Sequence, residues 1–312
     1  MQWIKDSPQR SWQLCAVLLV SLLPRHSIAE QSTFSVEPIN FQSAGVTLSG
    51  TIFQPRQALA AVVIVHGSGQ EKRMAGFAAM LASKGIAVLT YDKRGVGESG
   101  GVYAGPEVGT NNVDRSNLAL LAGDASAAVN ALIAHLPSNR GPAGLLGFSQ
   151  AGWIIPLAAK ANPAVKFMVL FSGPVVTTRE QLRFQFLTAG DPKFWDVHSE
   201  AEARTHMRDD PDRFQFVDTD PTDTLATLTI PGLWLFGGRD VLAPVQLSIE
   251  RLERLRALGK PFEYRLFPRL GHNVAPSDES ESFVNAVHWV KSIANETSRK
   301  GGSGHVRNSV TK

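Results

Sequence analysis

The sequence predicts an α/β fold, a mostly parallel sheet of about eight strands with helices on both faces. Short apolar runs alternate with helical patterns through the centre of the chain, which is the signature of strands joined by crossover helices. Several runs, such as AAVVIV at residues 60–65, lack any polar alternate, as expected of strands covered on both faces. The 312 residues are 43% hydrophobic and 19% charged, enough for one large core, and no internal repeat or long low-complexity linker divides them.

Taken in order, the chain starts outside that core. Lys5 and Arg10 precede the apolar run LCAVLLVSLL at residues 14–23, and HSIA ends at Ala29. A basic start, a short apolar run and an S-x-A site read as a secretory signal peptide over residues 1–29. The run is shorter than the roughly 20 apolar residues a membrane span needs; an uncleaved N-terminal anchor is the alternative. The expectation is a secreted or periplasmic protein with no stable membrane anchor after cleavage. The single cysteine, Cys15, lies inside the run, so the mature chain would hold no thiol and no disulfide.

Residues 45–53 (GVTLSGTIF) alternate with period two and predict an antiparallel edge hairpin strand. Further strands are expected at 60–65, 87–91, 143–147, 166–171, 232–236 and 262–267. Helices are expected near 74–84, 116–136, 150–161, 244–259 and 279–295. Residues 173–229 break the alternation with charged and aromatic sequence, too long for a plain loop, and predict a mostly helical insertion over the sheet's C-terminal edge. Its Phe184, Phe186, Phe194, Trp195, Phe214 and Phe216 either line a substrate pocket or fill the insertion's own core. The tail at 299–312 is Gly/Ser-rich and aperiodic, and is expected to be disordered.

Charge says little about partners. The chain carries +3 overall; without Lys5, Arg10, Arg25 and Asp6 it has 28 basic and 27 acidic residues, and four of the basic ones sit in the tail. No nucleic-acid footprint follows.

Ligands of an open α/β sheet bind beyond the carboxyl ends of its strands. Those ends carry HGSG (66–69), DKRGVGESGG (92–101), GFSQAG (147–152), GGRDVLAP (237–244) and PRLGHN (268–273). Ser149, Asp240 and His272 thus follow three different strands in the order nucleophile, acid, base. A serine hydroxyl attacks a carbonyl only when a base takes its proton. An imidazole titrates near neutrality and returns the proton to the leaving group. The aspartate holds the tautomer. Backbone N–H groups of Ser68 and Gln150 are the expected oxyanion donors. The turn around Ser149 needs small residues two before and two after it; Gly147 and Ala151 stand there, the latter in place of the usual glycine.

These motifs, together with VIVHGSG and LGHN, resemble the secreted or periplasmic serine esterases of the α/β-hydrolase superfamily, near its dienelactone-hydrolase and prolyl-oligopeptidase branches. The resemblance spans roughly residues 34–295. It implies a hydrolase core at 30–172 and 230–298, a cap at 173–229, the triad Ser149, Asp240 and His272, no cofactor, and hydrolysis of small-molecule carboxylic esters through an acyl-enzyme. A serine nucleophile departs from dienelactone chemistry, and no propeller-sized domain precedes the core. An exopeptidase, amidase or thioesterase on the same triad, or a non-catalytic ligand-binding homologue, are the alternatives.

Other signals point elsewhere only weakly. GVGESG (95–100) matches a dinucleotide fingerprint but is followed by a polar loop instead of a helix. Asp92 and Arg94 are expected to brace that loop by an ion pair. Asp218, Asp220 and Asp223 are alternative acids that do not follow a core strand. No Cys/His cluster suggests a metal.

Overall fold

The computed structural model describes residues 33–105, 111–211 and 214–303, with side chains through residue 299. The expected signal segment, 1–29, and most of the expected disordered tail, 304–312, lie outside these residues.

The sheet begins with a hairpin. Strand β1 (Phe34–Ser43) pairs antiparallel with β2 (Val46–Pro55). Its two-residue turn, Ala44 and Gly45, has φ of 44° and 77°, the left-handed pair whose twist matches flanking strands. β2 adds antiparallel to β4 (Ile86–Tyr91). The rest is parallel: β3 (Ala60–Val65), β5 (Ala143–Phe148), β6 (Val165–Phe171), β7 (Gly232–Gly237) and β8 (Phe262–Phe267). The described residues form an eight-stranded sheet in the order β1-β2-β4-β3-β5-β6-β7-β8.

Alternating side chains of the central strands feed two cores. Val62 and Ile64 of β3 join Leu146, Val169 and Leu235 under α1 (Ala75–Ser83) and α9 (Glu281–Ser303), which contribute Leu81, Phe283 and Val290. Ala61, Val63 and Val65 face the other way, with Leu145 and Trp234. They meet α2 (Arg115–His135), α3 (Ala151–Ala161) and α8 (Val245–Ala257) through Leu118, Val129, Ile155 and Leu252. This two-sided burial explains the uninterrupted apolar runs. α9 continues past residue 298 to Ser303, so the first residues of the expected tail are helical.

Between β6 and β7 the chain forms α4 (Thr178–Thr188), α5 (Phe194–Val197), α6 (Glu200–Asp209) and α7 (Pro221–Leu225). Local chemistry starts each long helix. Thr177 and Glu180 cap α4 reciprocally, as Ser199 and Glu202 cap α6. Phe184 and Phe194 pack with Ala203, Met207 and Val241 into a small core beside Trp195. Those aromatics fill the segment's own interior.

The order of strands places the site. From β3 the chain steps to β4 on one side, and β5 lies on the other. The carboxyl ends of β3 and β5 therefore flank a switch point, where an α/β sheet opens a crevice.

Candidate active site

Ser149 leaves β5 in a left-handed conformation, φ 49°, which a non-glycine residue holds only when its surroundings enforce it. Ser149 N donates to Phe171 O at 3.0 Å, and Ser149 O accepts from Gly152 N at 2.8 Å. Space closes the turn further. A Cβ on Gly147 would stand 2.5 Å from the Ala151 methyl and 2.9 Å from Val65 O. One on Gly152 would meet Pro174 O at 2.6 Å. Glycine is therefore required at both 147 and 152, and the methyl of Ala151 occupies the gap that Gly147 leaves. Trp153 packs α3 from behind, with Nε1 donating to Val176 O at 2.8 Å.

Asp240 and His272 follow adjacent strands. β7 and β8 run in register to Gly237 and Phe267, and Arg239 N donates to Leu270 O at 2.9 Å. Asp240 is buried, and its Oδ1 accepts from Leu242 N at 2.7 Å and Ala243 N at 2.9 Å. Its Oδ2 lies 2.8 Å from His272 Nδ1. A carboxylate accepts, so Nδ1 carries the proton and Nε2 keeps its lone pair. The alternative acids are engaged elsewhere: Asp218 receives Thr178 Oγ1 at 2.6 Å, and Asp220 caps α7.

The loop bearing His272 reaches back across β7. Ser172, at the end of β6 with φ 51°, donates from Oγ to His272 O at 2.6 Å. Sequence reasoning missed this residue; its signal was a serine just past an apolar strand, the same signal that marks Ser149.

Ser149 and His272 share a cavity of about 340 Å³ whose walls include Gly67, Ser68, Glu71, Met74, Phe148 and Leu242. Ser149 also borders a smaller compartment of about 100 Å³ with Ser68, Gln150, Val113, Trp153 and Leu182. Gln185 of α4 stands in both walls. The segment between β6 and β7 thus faces the site through Gln181, Leu182 and Gln185 of α4, while Phe184 and Phe194 turn inward and Phe186 is exposed.

The loops around the site are tied by charge. Lys93 is almost fully buried, and its Nζ donates to Gly67 O at 2.7 Å, Gly69 O at 3.4 Å and Gln150 Oε1 at 3.0 Å. Tyr103 Oη donates to Ser68 O at 3.2 Å. The expected pairing of Asp92 with Arg94 is corrected. Asp92 receives Arg73 at 2.9 Å, and Arg94 reaches Asp124 at 2.8 Å, 30 positions away. Burial alone would raise the Asp92 carboxyl. Hydrogen bonds from the Arg73 side chain and the Glu98 and Arg73 backbones outweigh it and hold the group at about 2. His66 is the opposite case: burial, then the Lys93 charge, lower its imidazole to about 4. His66 Nε2 lies 2.5 Å from Tyr91 O, so it donates there and orders its turn.

Residues 95–100 open no helix and the loop folds back on Asp92, so the glycines serve a turn. Among the described residues no group of three or more His, Cys, Asp or Glu is placed to hold a metal ion.

The fold has known counterparts. An esterase of Pyrococcus furiosus superposes with a TM-score of 0.60 at 19% identity, over 85% of this chain and 91% of that one. A Pyrococcus horikoshii acylaminoacyl peptidase gives 0.59 at 17% identity, over 85% of this chain and 42% of the peptidase. A dienelactone hydrolase of Anabaena variabilis gives 0.54 at 18%, over 85% and 99%. At such identities the likeness is one of fold. No curated protein matches in sequence. The family model described as serine aminopeptidase S33 matches residues 56–222, which include Ser149 and stop short of Asp240 and His272. That match spans more than half of the sequence, and the chain belongs to the S33 serine aminopeptidase family of α/β-hydrolases.

Proposed function

We infer that this hydrolase cleaves carboxylic esters through an acyl-enzyme on Ser149. The single observation that carries the reading is the Asp240–His272 pair at 2.8 Å opening on the cavity that also holds Ser149. His272 Nε2 takes the Ser149 proton as Oγ bonds to the acyl carbon. The backbone N–H groups of Ser68 and Gln150 receive the oxyanion. The imidazolium, steadied by Asp240, then protonates the leaving alkoxide as the ester C–O bond breaks. Water, deprotonated by the same imidazole, releases the acid and restores Ser149.

The two compartments assign the halves of the substrate. The leaving oxygen must face the group that protonates it, so the alcohol occupies the larger space beside His272. The acyl group is left with the smaller space beside Gln150. A cavity of about 150 Å³ just accepts the six carbons of benzene, so about 100 Å³ holds about four carbons. The proposed substrates are esters of short acids with bulkier alcohols.

The test is hydrolysis of p-nitrophenyl esters from acetate to laurate by the mature protein beside Ser149→Ala and His272→Ala. Turnover by wild type and its loss in both variants is the required result; turnover that survives Ser149→Ala refutes the mechanism. A second reading, an aminopeptidase, reverses the two halves: Glu71 in the larger wall would pair with the free α-amino group of an aminoacyl substrate, whose acyl part would then lie in that space. Aminoacyl p-nitroanilides separate the two. Residues 1–29 are proposed to direct export, which places the enzyme in the periplasm or outside the cell; fractionation of cells with and without that segment tests it.

A further inference from the structure

A lysine is costly to bury unless every proton finds an acceptor, and Lys93 is buried with three oxygens around Nζ. Two belong to the loop after β3 and the third to the residue after Ser149. One cation therefore touches both sides of the proposed oxyanion hole. A trans peptide places its C=O and N–H on opposite sides. Gly67 O, drawn to Nζ at 2.7 Å, is the other end of the peptide whose N–H belongs to Ser68. Holding that carbonyl aims the Ser68 N–H away from Lys93, and the cation polarises the same peptide, strengthening the donor.

The remaining contacts act on the same frame. Lys93 N donates to Glu71 O at 3.0 Å, which stitches the far end of the loop to β4. Tyr103 Oη holds Ser68 O, and its ring lies under Nζ at 5.8 Å. Gln150 is fixed from two sides, by Lys93 at Oε1 and by Nε2 donating to Asn112 O at 2.5 Å. That fixes the rotation of the residue supplying the second backbone donor.

We propose that Lys93 is a positioning residue that aligns the Ser68 and Gln150 N–H groups on the oxyanion, from a buried site that does not touch substrate. The proposal rests on Ser149 being the nucleophile of an acyl-enzyme reaction. Residues that act only as scaffold lower stability or substrate affinity. Lys93 acts on the tetrahedral species and so is expected to change kcat while leaving KM in place.

The experiment compares wild type, Lys93→Met and Gln150→Met on p-nitrophenyl butyrate. It adds inhibition by a trifluoromethyl ketone, which forms a tetrahedral adduct with serine, and labelling by a fluorophosphonate. Outright loss of one oxyanion donor costs about 10²- to 10³-fold in kcat, so misalignment by Lys93→Met is expected to cost about 10- to 100-fold. KM stays within about twofold, and ketone affinity falls in proportion to kcat/KM. Gln150→Met, which removes one acceptor and keeps the cation, shows a smaller loss of the same kind, and serves if Lys93→Met does not fold. Unchanged kcat, or lost kcat with undiminished ketone affinity, overturns the proposal. The esterase reading fails separately: wild type would then turn over no ester and Ser149 would not be labelled, which removes the premise as well.

Discussion

Replacing Leu182 by alanine tests the assignment of acyl and alcohol spaces. Leu182 belongs to α4, borders the compartment of about 100 Å³, and is only partly buried. At the spacing of about 25 Å³ per carbon implied by benzene in about 150 Å³, deleting three carbons opens about 75 Å³. The capacity rises from about four acyl carbons to about seven. A methylene that fits or does not fit a pocket changes kcat/KM by about 10- to 200-fold, so wild type should lose at least about tenfold between butyrate and octanoate. Leu182→Ala should recover most of that loss and move its optimum to hexanoate or octanoate. A fully buried Leu→Ala change costs about 2–5 kcal/mol, and partial exposure of Leu182 puts the expected cost at the low end. The assay is kcat/KM along the p-nitrophenyl series at matched folded fraction, read by circular dichroism. A wild-type optimum at octanoate or laurate, or a profile that Leu182→Ala leaves in place, refutes the reasoning. Met74→Trp, in the larger space, is the control: it should slow bulky alcohols without shifting the acyl optimum.

Three further outcomes follow from the geometry. The His66 imidazole is lowered from 6.5 to about 4, so the unfolded chain binds its proton first on acidification; full stability holds above pH 6.5, and about 3 kcal/mol is lost as pH falls to 4. His66→Gln should flatten urea-unfolding stability over that window, and an unchanged slope excludes His66 as its source. Gly147→Ala drives a methyl against Ala151, Ile155 and Val65 O; a cost of about 3 kcal/mol and loss of fluorophosphonate labelling are expected, measured by melting and by mass. Ser172→Ala releases the hydroxyl from His272 O; a bond worth about 1 kcal/mol predicts roughly fivefold lower kcat with KM retained, and an unchanged kcat shows that the loop holds its place without it.

Much of this was legible in the sequence because the residues proposed for catalysis sit at strand ends, and buried parallel strands announce themselves by apolar runs. Ser149, Asp240 and His272 could be picked out by that position alone. β1 could not: most of its residues are exposed, and a proline, Pro38, stands in its middle. Its edge position leaves no buried run to read. The partners of Asp92 and Arg94 were invisible for another reason. Both charges sit in one loop, but their counterions, Arg73 and Asp124, arrive from elsewhere in the chain. Lys93, between them, was hidden by the same arrangement. The aromatics of the β6–β7 segment were ambiguous because composition does not say which way a ring turns: Phe184, Phe194 and Trp195 turn inward, while Phe186 is exposed.

The segment between β6 and β7 also holds the loop that carries Asp240. Trp195 Nε1 donates to Asp240 O at 2.8 Å, Thr188 Oγ1 to Val241 O at 2.6 Å, and Gln181 Nε2 to Leu242 O. Three consecutive carbonyls thus take their donors from one segment, and α4 supplies both a substrate wall and two of those donors. Reshaping the pocket by exchanging this segment for another would leave those carbonyls wanting protons at the residue that steadies His272. Evolution and the engineer face the same constraint: a segment exchanged here must bring its own three donors, or it also disturbs the loop that holds Asp240 against His272.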